Sequence, residues 1–320
     1  MYRNKLFFLK LFVFLILALV LNMCLNKVYD RWMYYFRLAR TQDKQFESCP
    51  DTLKYLMLGN SHNRVNPAIL GNGFCYITPK EIYTQTYYKL RYILEKTNKK
   101  PENILLSIDP VNFSPRAEND LTFDGYWRKY LNYYELAQEY HDPGYLMNWL
   151  TGNFFSYVGN YKFGYMSLLF LNYDLHKIRN GYIPARNYKN FEKEPNHEAL
   201  GYETATAYLS SYAKKSKIGE SKYYCKILSL CQQNKIHLIL LRMPLSDEYL
   251  KYARKLIDME EIDRRIINLT GNHNSDFRVL DFRNEFHGKP WYFFNADHVN
   301  PAGAKIISEK IKQELEKNCY

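Results

Sequence analysis

From Leu6 to Leu25 only Lys10 and Asn22 interrupt an apolar run, and Leu11 to Leu21 contains no polar side chain. In lipid a backbone must satisfy its own hydrogen bonds, so such a run has one stable form, a helix, and roughly 20 residues are enough to cross the hydrocarbon. Arg3 and Lys5 precede it, and the positive-inside tendency then predicts a cytoplasmic N-terminus with the remainder across the membrane. A cleaved signal peptide starts in the same way, but Leu21-Asn22-Met23-Cys24-Leu25 lacks the small residues of a cleavage site. Residues 1–26 are therefore expected to be a retained anchor, and Asn22 and Met23 argue against lipidation of Cys24.

Residues 27–48 are expected to form a juxtamembrane stalk. Arg31, Arg37 and Arg40 alternate there with Trp32, Tyr34, Tyr35 and Phe36, the residue types that settle at headgroup level. A helix lying along the membrane and a plain continuation into the globular body both fit. The net charge of +11 suits anionic headgroups, acidic polymers or nucleic acid. No zinc finger, RNA-recognition signature or basic stripe accompanies it, so a nucleic-acid partner is not expected. The 31 tyrosines suit sugar-binding surfaces and membrane interfaces. The six cysteines show no CxxC and no histidine at zinc-like spacing, so neither a metal site nor a cofactor is expected. Cys49 and Cys75 flank the first expected strand, where a disulfide and two free thiols both fit.

Residues 49–320 alternate short apolar runs with amphipathic stretches. Strands are predicted at Leu53–Leu58, Phe74–Thr78, Ile104–Ile108, Ile236–Arg242 and Arg278–Phe282. Helices are predicted at about Glu81–Thr97, Ser221–Gln233, Asp247–Leu269 and Pro301–Lys317. The nearly all-apolar run Ile104–Ile108 implies burial on both faces, as in a parallel sheet covered by helices. Residues 114–219, rich in Tyr, Asn and Phe with few convincing strands, read as an insertion, either a substrate-shaping cap or packing.

Two motifs fall where such a sheet binds ligands. Gly59-Asn60-Ser61-His62 follows the first strand, so Ser61 sits on a turn at a strand's carboxyl end. Gly59 permits a sharp turn, and exposed N–H groups on it can stabilise an oxyanion. Phe293-Phe294-Asn295-Ala296-Asp297-His298-Val299-Asn300-Pro301 puts His298 in a loop before the last helix.

With these two motifs in this order on an α/β pattern, the chain resembles the SGNH/GDSL hydrolase superfamily. Within it the resemblance is to the membrane-anchored branch that includes the lipoteichoic-acid D-alanylation protein and the alginate O-acetylation proteins. It covers the chain outside the anchor and the insertion. It implies an α/β, flavodoxin-like three-layer sandwich with a parallel central sheet, in addition to the N-terminal transmembrane helix. It also implies a serine esterase or O-acyltransferase with Ser61 as nucleophile and His298 as base, acting on acyl, chiefly acetyl, groups of a cell-envelope glycan. A partner multispanning membrane acyltransferase is implied for some relatives. The expected location is a single pass through a bacterial inner membrane, with the body extracytoplasmic or periplasmic. The alternative is a catalytically silent glycan-binding or scaffold protein on the same frame.

The chain departs from the family at the third catalytic member. Asn295 stands three residues before His298, where the family usually has Asp, and Asp297 is adjacent to His298. Either can orient the imidazole, and a Ser–His dyad is a third arrangement. For the oxyanion, Asn112 qualifies by location and Asn60 or Asn63 can replace it; Asp109 and Asn112 also fit a simple turn around Pro110. Arg242, ending a strand, can bind an anionic substrate group or pair with a loop carboxylate. His62 can line the pocket or start a helix.

Overall fold

The computed structural model describes residues 2–32, 34–114, 127–154, 177–183, 191–214, 222–273 and 276–317. Five strands, β1 (Thr52–Leu58), β2 (Gly73–Cys75), β3 (Lys100–Ser107), β4 (His237–Arg242) and β5 (Phe277–Asp281), form one sheet in the order β2-β1-β3-β4-β5. All four pairings are parallel. Leu56, Ile104 and Leu238 lie in one row across the three central strands, and Leu58, Leu106 and Leu240 in the next. All six side chains are buried. Covered on both faces, these strands have no solvent side to alternate with, which is why they read as continuous apolar runs.

The helices are α1 (Tyr2–Trp32), α2 (Tyr34–Ser48), α3 (Pro67–Leu70), α4 (Tyr83–Lys96), α5 (Tyr133–Tyr140), α6 (Gly144–Phe154), α7 (His197–Lys214), α8 (Lys222–Gln233), α9 (Asp247–Leu256), α10 (Met259–His273) and α11 (Pro301–Glu316). The step from β1 to β2 crosses the sheet one way; the steps to β3, β4 and β5 cross it the other way. Right-handed crossovers then put α3 on one face and α4, α8 and α10 on the opposite face. The packing agrees: α3 meets α11, while α8 meets both α4 and α10.

The chain divides into two compact units, Met1–Thr41 with Thr122–Leu175, and Gln42–Leu121 with His176–Tyr320. In the first, Lys5–Val28 of α1 is long and apolar enough to cross a membrane, and its large apolar side chains are exposed. The expected stalk is helical but divides between the units. From Gln42 onward α2 belongs with the sheet: Gln42 Nε2 donates to Gly181 O at 2.8 Å, and the buried Phe46 ring packs on Phe74 and Tyr76. The expected insertion also divides. Residues 122–175 group with α1, and the described parts carry α5, α6 and α7 plus an isolated antiparallel bridge, Arg179 with Tyr182. Residues 115–126, 155–176, 184–190 and 215–221 of the insertion and its borders lie outside the described residues.

One predicted helix is two. The expected Asp247–Leu269 helix breaks at Ile257, whose backbone is extended, and Asp258 starts α10 by accepting from Glu261 N at 2.9 Å. Apolar spacing continues through the break, but Asp258 followed by Glu261 is an N-terminal capping signal. Cys49 and Cys75 are separate free thiols, as are Cys24, Cys225 and Cys231; Cys319 lies outside the described residues. Burial pushes the Cys75 thiol up to about 12.

Candidate active site

Between β1 and β3 the strand order reverses, which opens a crevice at the carboxyl ends of the strands. The chain leaving β1 turns at Gly59, whose φ of +109° suits a residue without Cβ. Asn63 fastens this turn, its Nδ2 donating to Leu58 O at 2.9 Å and to Leu105 O at 2.8 Å. Asn60 Oδ1 accepts from His62 N at 3.0 Å, and Asn60 Nδ2 donates to Asn112 Oδ1 at 2.9 Å. The turn after β1 is thereby tied to the loop after β3.

The loop expected around His298 is a small antiparallel hairpin, β6 (Phe293–Asn295) with β7 (His298–Val299). Asn295 pairs directly with His298, leaving Ala296-Asp297 as the turn. Directly paired residues project to the same side of a hairpin, and Asn295 Oδ1 lies 3.1 Å from His298 Nδ1. Behind the hairpin, Asn300 caps α11 by accepting from Ala302 N and Gly303 N and donates from Nδ2 to Trp291 O at 2.6 Å.

These loops bring five side chains into one hydrogen-bonded line. Ser61 Oγ is 2.8 Å from His298 Nε2. His298 Nδ1 is 2.8 Å from Asp297 Oδ1. Asp297 Oδ2 is 3.1 Å from His62 Nε2, and His62 Nδ1 is 2.8 Å from Asp109 Oδ2. The two imidazoles meet edge to face, 4.5 Å between centroids. Ser61 and His298 are partly exposed, whereas Asp297, His62 and Asp109 are buried.

Burial disfavours a charged His62, but the carboxylates of Asp109 and then Asp297 outweigh it and push its pKa up to about 10. For His298, burial is the largest effect and lowers the pKa; together with the charges of His62 and Arg64, which act in the same sense, it outweighs Asp297. Burial would raise the Asp297 carboxyl, yet His298 and His62 beside it hold it far below the usual carboxylate range. At neutral pH His62 is thus an imidazolium and His298 a neutral imidazole. With Nδ1–H donating to Asp297 Oδ1, His298 Nε2 is left to accept the Ser61 hydroxyl proton.

Several open alternatives now have a geometry. Asp297 and Asn295 both reach Nδ1, Asp297 the closer and the charged one; an adjacent residue normally points elsewhere, but the two-residue turn redirects it. Asn63 has both amide hydrogens on strand carbonyls and is not a spare donor, while Asn60 has one of its two on Asn112. The Asn112 amide N–H and the Ser61 backbone N–H have no protein acceptor among the described residues. Asp109 and Asn112 do form the turn around Pro110, Asn112 N donating to Asp109 O at 3.0 Å, while the Asp109 carboxylate goes to His62. His62 does not start a helix; α3 begins at Pro67 with Asn66 as its cap.

Arg242 pairs with carboxylates. It reaches Asp281 at 3.0 Å and Asp263 at 3.2 Å, in a cluster completed by Arg283. Sequence reasoning missed Asp109 as a partner of His62, and Arg64, whose Nε donates to Ser61 O at 3.1 Å. An Asp at the carboxyl end of a buried strand beside the crevice was the available signal for Asp109.

Among the described residues, His62, Asp297 and His298 are the histidine and carboxylate set whose ligand atoms lie within 4.8 Å of one another. All four ring nitrogens and both Asp297 oxygens already have hydrogen-bond partners. A cation there would break those bonds and face a charged His62. No protein-family model matches the chain, and no curated protein matches it in sequence.

Proposed function

We propose that the chain is a membrane-anchored serine esterase or O-acyltransferase of the SGNH type. One observation carries the proposal: a partly exposed Ser61 hydroxyl 2.8 Å from His298 Nε2, with His298 Nδ1 on a buried carboxylate. A serine hydroxyl is a poor nucleophile at neutral pH and needs such a base within hydrogen-bond reach. His298 takes the Ser61 proton as Oγ adds to the ester carbonyl. The Ser61 N–H and the Asn112 amide are the donors for the resulting oxyanion. When the tetrahedral intermediate collapses, the C–O bond to the leaving alcohol breaks and His298 returns the proton to that oxygen, leaving an acyl-Ser61 ester. Water or a sugar hydroxyl, deprotonated by His298, then takes the acyl group and frees Ser61.

The substrate class is an O-acyl, chiefly acetyl, ester of a cell-envelope glycan. The apolar span of α1, which would hold the body at a membrane surface, and the abundance of tyrosine support that choice. A multispanning acyl donor partner belongs to the same proposal. The competing reading, a silent glycan-binding scaffold, drew its support from Asn295 in place of Asp; Asp297 at 2.8 Å supplies the missing carboxylate and weakens it.

The full chain in detergent, incubated with a fluorophosphonate, tests the proposal. Labelling of wild type that disappears in Ser61→Ala is the expected result. Folded wild-type protein that never labels would overturn the enzyme reading in favour of the scaffold.

A further inference from the structure

His62 is buried, and each of its ring nitrogens meets a different carboxylate, Asp109 at 2.8 Å and Asp297 at 3.1 Å. A neutral imidazole has one N–H and cannot donate to both; an imidazolium can. The three residues come from three loops, those after β1 and β3 and the β6–β7 turn, so the ring cross-links the whole crevice. Asp297 in turn divides its oxygens, Oδ2 to His62 and Oδ1 to His298. We propose that His62 is a positioning residue: held as an imidazolium by Asp109, it fixes Asp297 as the partner of His298 and opposes protonation of His298. This rests on the reading of Ser61 and His298 as nucleophile and base.

The consequence follows from what faces the base. Asp297 favours the protonated form of His298, while His62 and Arg64, both from the loop after β1, oppose it. Around His62 stand Asp109, Asp297 and the His298 ring. A positive charge one ring away keeps His298 a free base further into acid than Asp297 alone would allow. Without that charge His298 takes up a proton at higher pH, and Asp297 loses the bond that holds its second oxygen.

The test is the pH dependence of fluorophosphonate labelling of the full chain in His62→Gln and Asp109→Asn. Both are expected to move the acid midpoint upward, by about one pH unit in His62→Gln and less in Asp109→Asn. The plateau rate should also fall, by about 10-fold or more in His62→Gln. A plateau that falls with an unmoved midpoint would mean a merely structural role and would overturn the proposal. Asp109→Asn keeps the question decidable if His62→Gln does not fold. Independently, ¹⁵N-histidine spectra of wild type at pH 8 should show one ring with both nitrogens protonated that vanishes in His62→Gln; its absence would also sink the idea. A wild type that never labels would instead refute the acyl-transfer reading and with it the positioning role, while the spectrum would still report whether the imidazolium exists.

Discussion

Asp297 stands between two imidazoles, its Oδ1 2.8 Å from His298 Nδ1 and its Oδ2 3.1 Å from His62 Nε2. One of these rings belongs to its immediate chain neighbour; the other lies 235 positions away. The carboxylate bonded to His298 is therefore held by a residue of Ser61's own turn, and four expected outcomes test this site and its support.

Asp297 and Asn295 share His298 Nδ1 but differ in charge, and only the carboxylate can offset an imidazolium. Asp297→Asn should lower kcat/KM for p-nitrophenyl acetate by about 10⁴-fold, and Asn295→Ala by about 10-fold or less. The reverse ranking would make Asn295 the orienting residue.

Asn112 has an amide N–H with no protein acceptor among the described residues, held beside the Ser61 turn through Asn60. Asn112→Ala should reduce kcat by roughly 10²- to 10³-fold, the cost of one lost oxyanion donor, while KM changes little. An effect confined to KM would move Asn112 from the oxyanion to ground-state binding.

Gly303 lies where α11 presses on the histidine hairpin. A Cβ there would stand 2.5 Å from Tyr292 O and 3.2 Å from Val299 Cβ. Backbone oxygen cannot yield cheaply, so Gly303→Ala should cost about 1–3 kcal/mol of stability, read by denaturant titration, and should slow Ser61 labelling because His298 precedes Val299 on the same strand. Unchanged stability would mean that the helix and hairpin separate freely.

His62 also makes stability depend on pH. Its pKa rises from about 6.5 in the unfolded chain to about 10 when folded, so its contribution is complete below 6.5 and is lost as pH climbs through 10. Asp297 has the opposite sign, contributing above the ordinary carboxylate range and losing its contribution only in strong acid. Denaturation midpoints between pH 7 and 10 should fall in wild type and flatten in His62→Gln. Equal slopes would show that His62 carries no such shift.

Much of the sheet was legible because its strands are buried on both faces: runs such as Leu56-Met57-Leu58 and Ile104-Leu105-Leu106 have no other comfortable environment. The break at Ile257 was not, since apolar spacing continues across it while only Asp258 marks the new start. Ser61 was legible as a candidate because it follows a strand that a parallel sheet directs toward its crevice, and His298 because its motif directly precedes the last helix.

Their support was not. Whether Asp297 or Asn295 could reach the imidazole depends on a two-residue hairpin turn, and His62 finds Asp109 only because β1 and β3 are neighbours. Arg242 is taken up by Asp263 and Asp281, carboxylates that α10 and β5 carry to it. Sequence by itself determined the apolar span, the α/β alternation and the candidacy of Ser61 and His298, because burial pattern and turn chemistry are properties of contiguous residues. The tertiary structure alone decided which carboxylate meets which imidazole and hence which histidine carries charge, because proton affinity depends on groups a few ångströms apart in space and hundreds of positions apart in the chain.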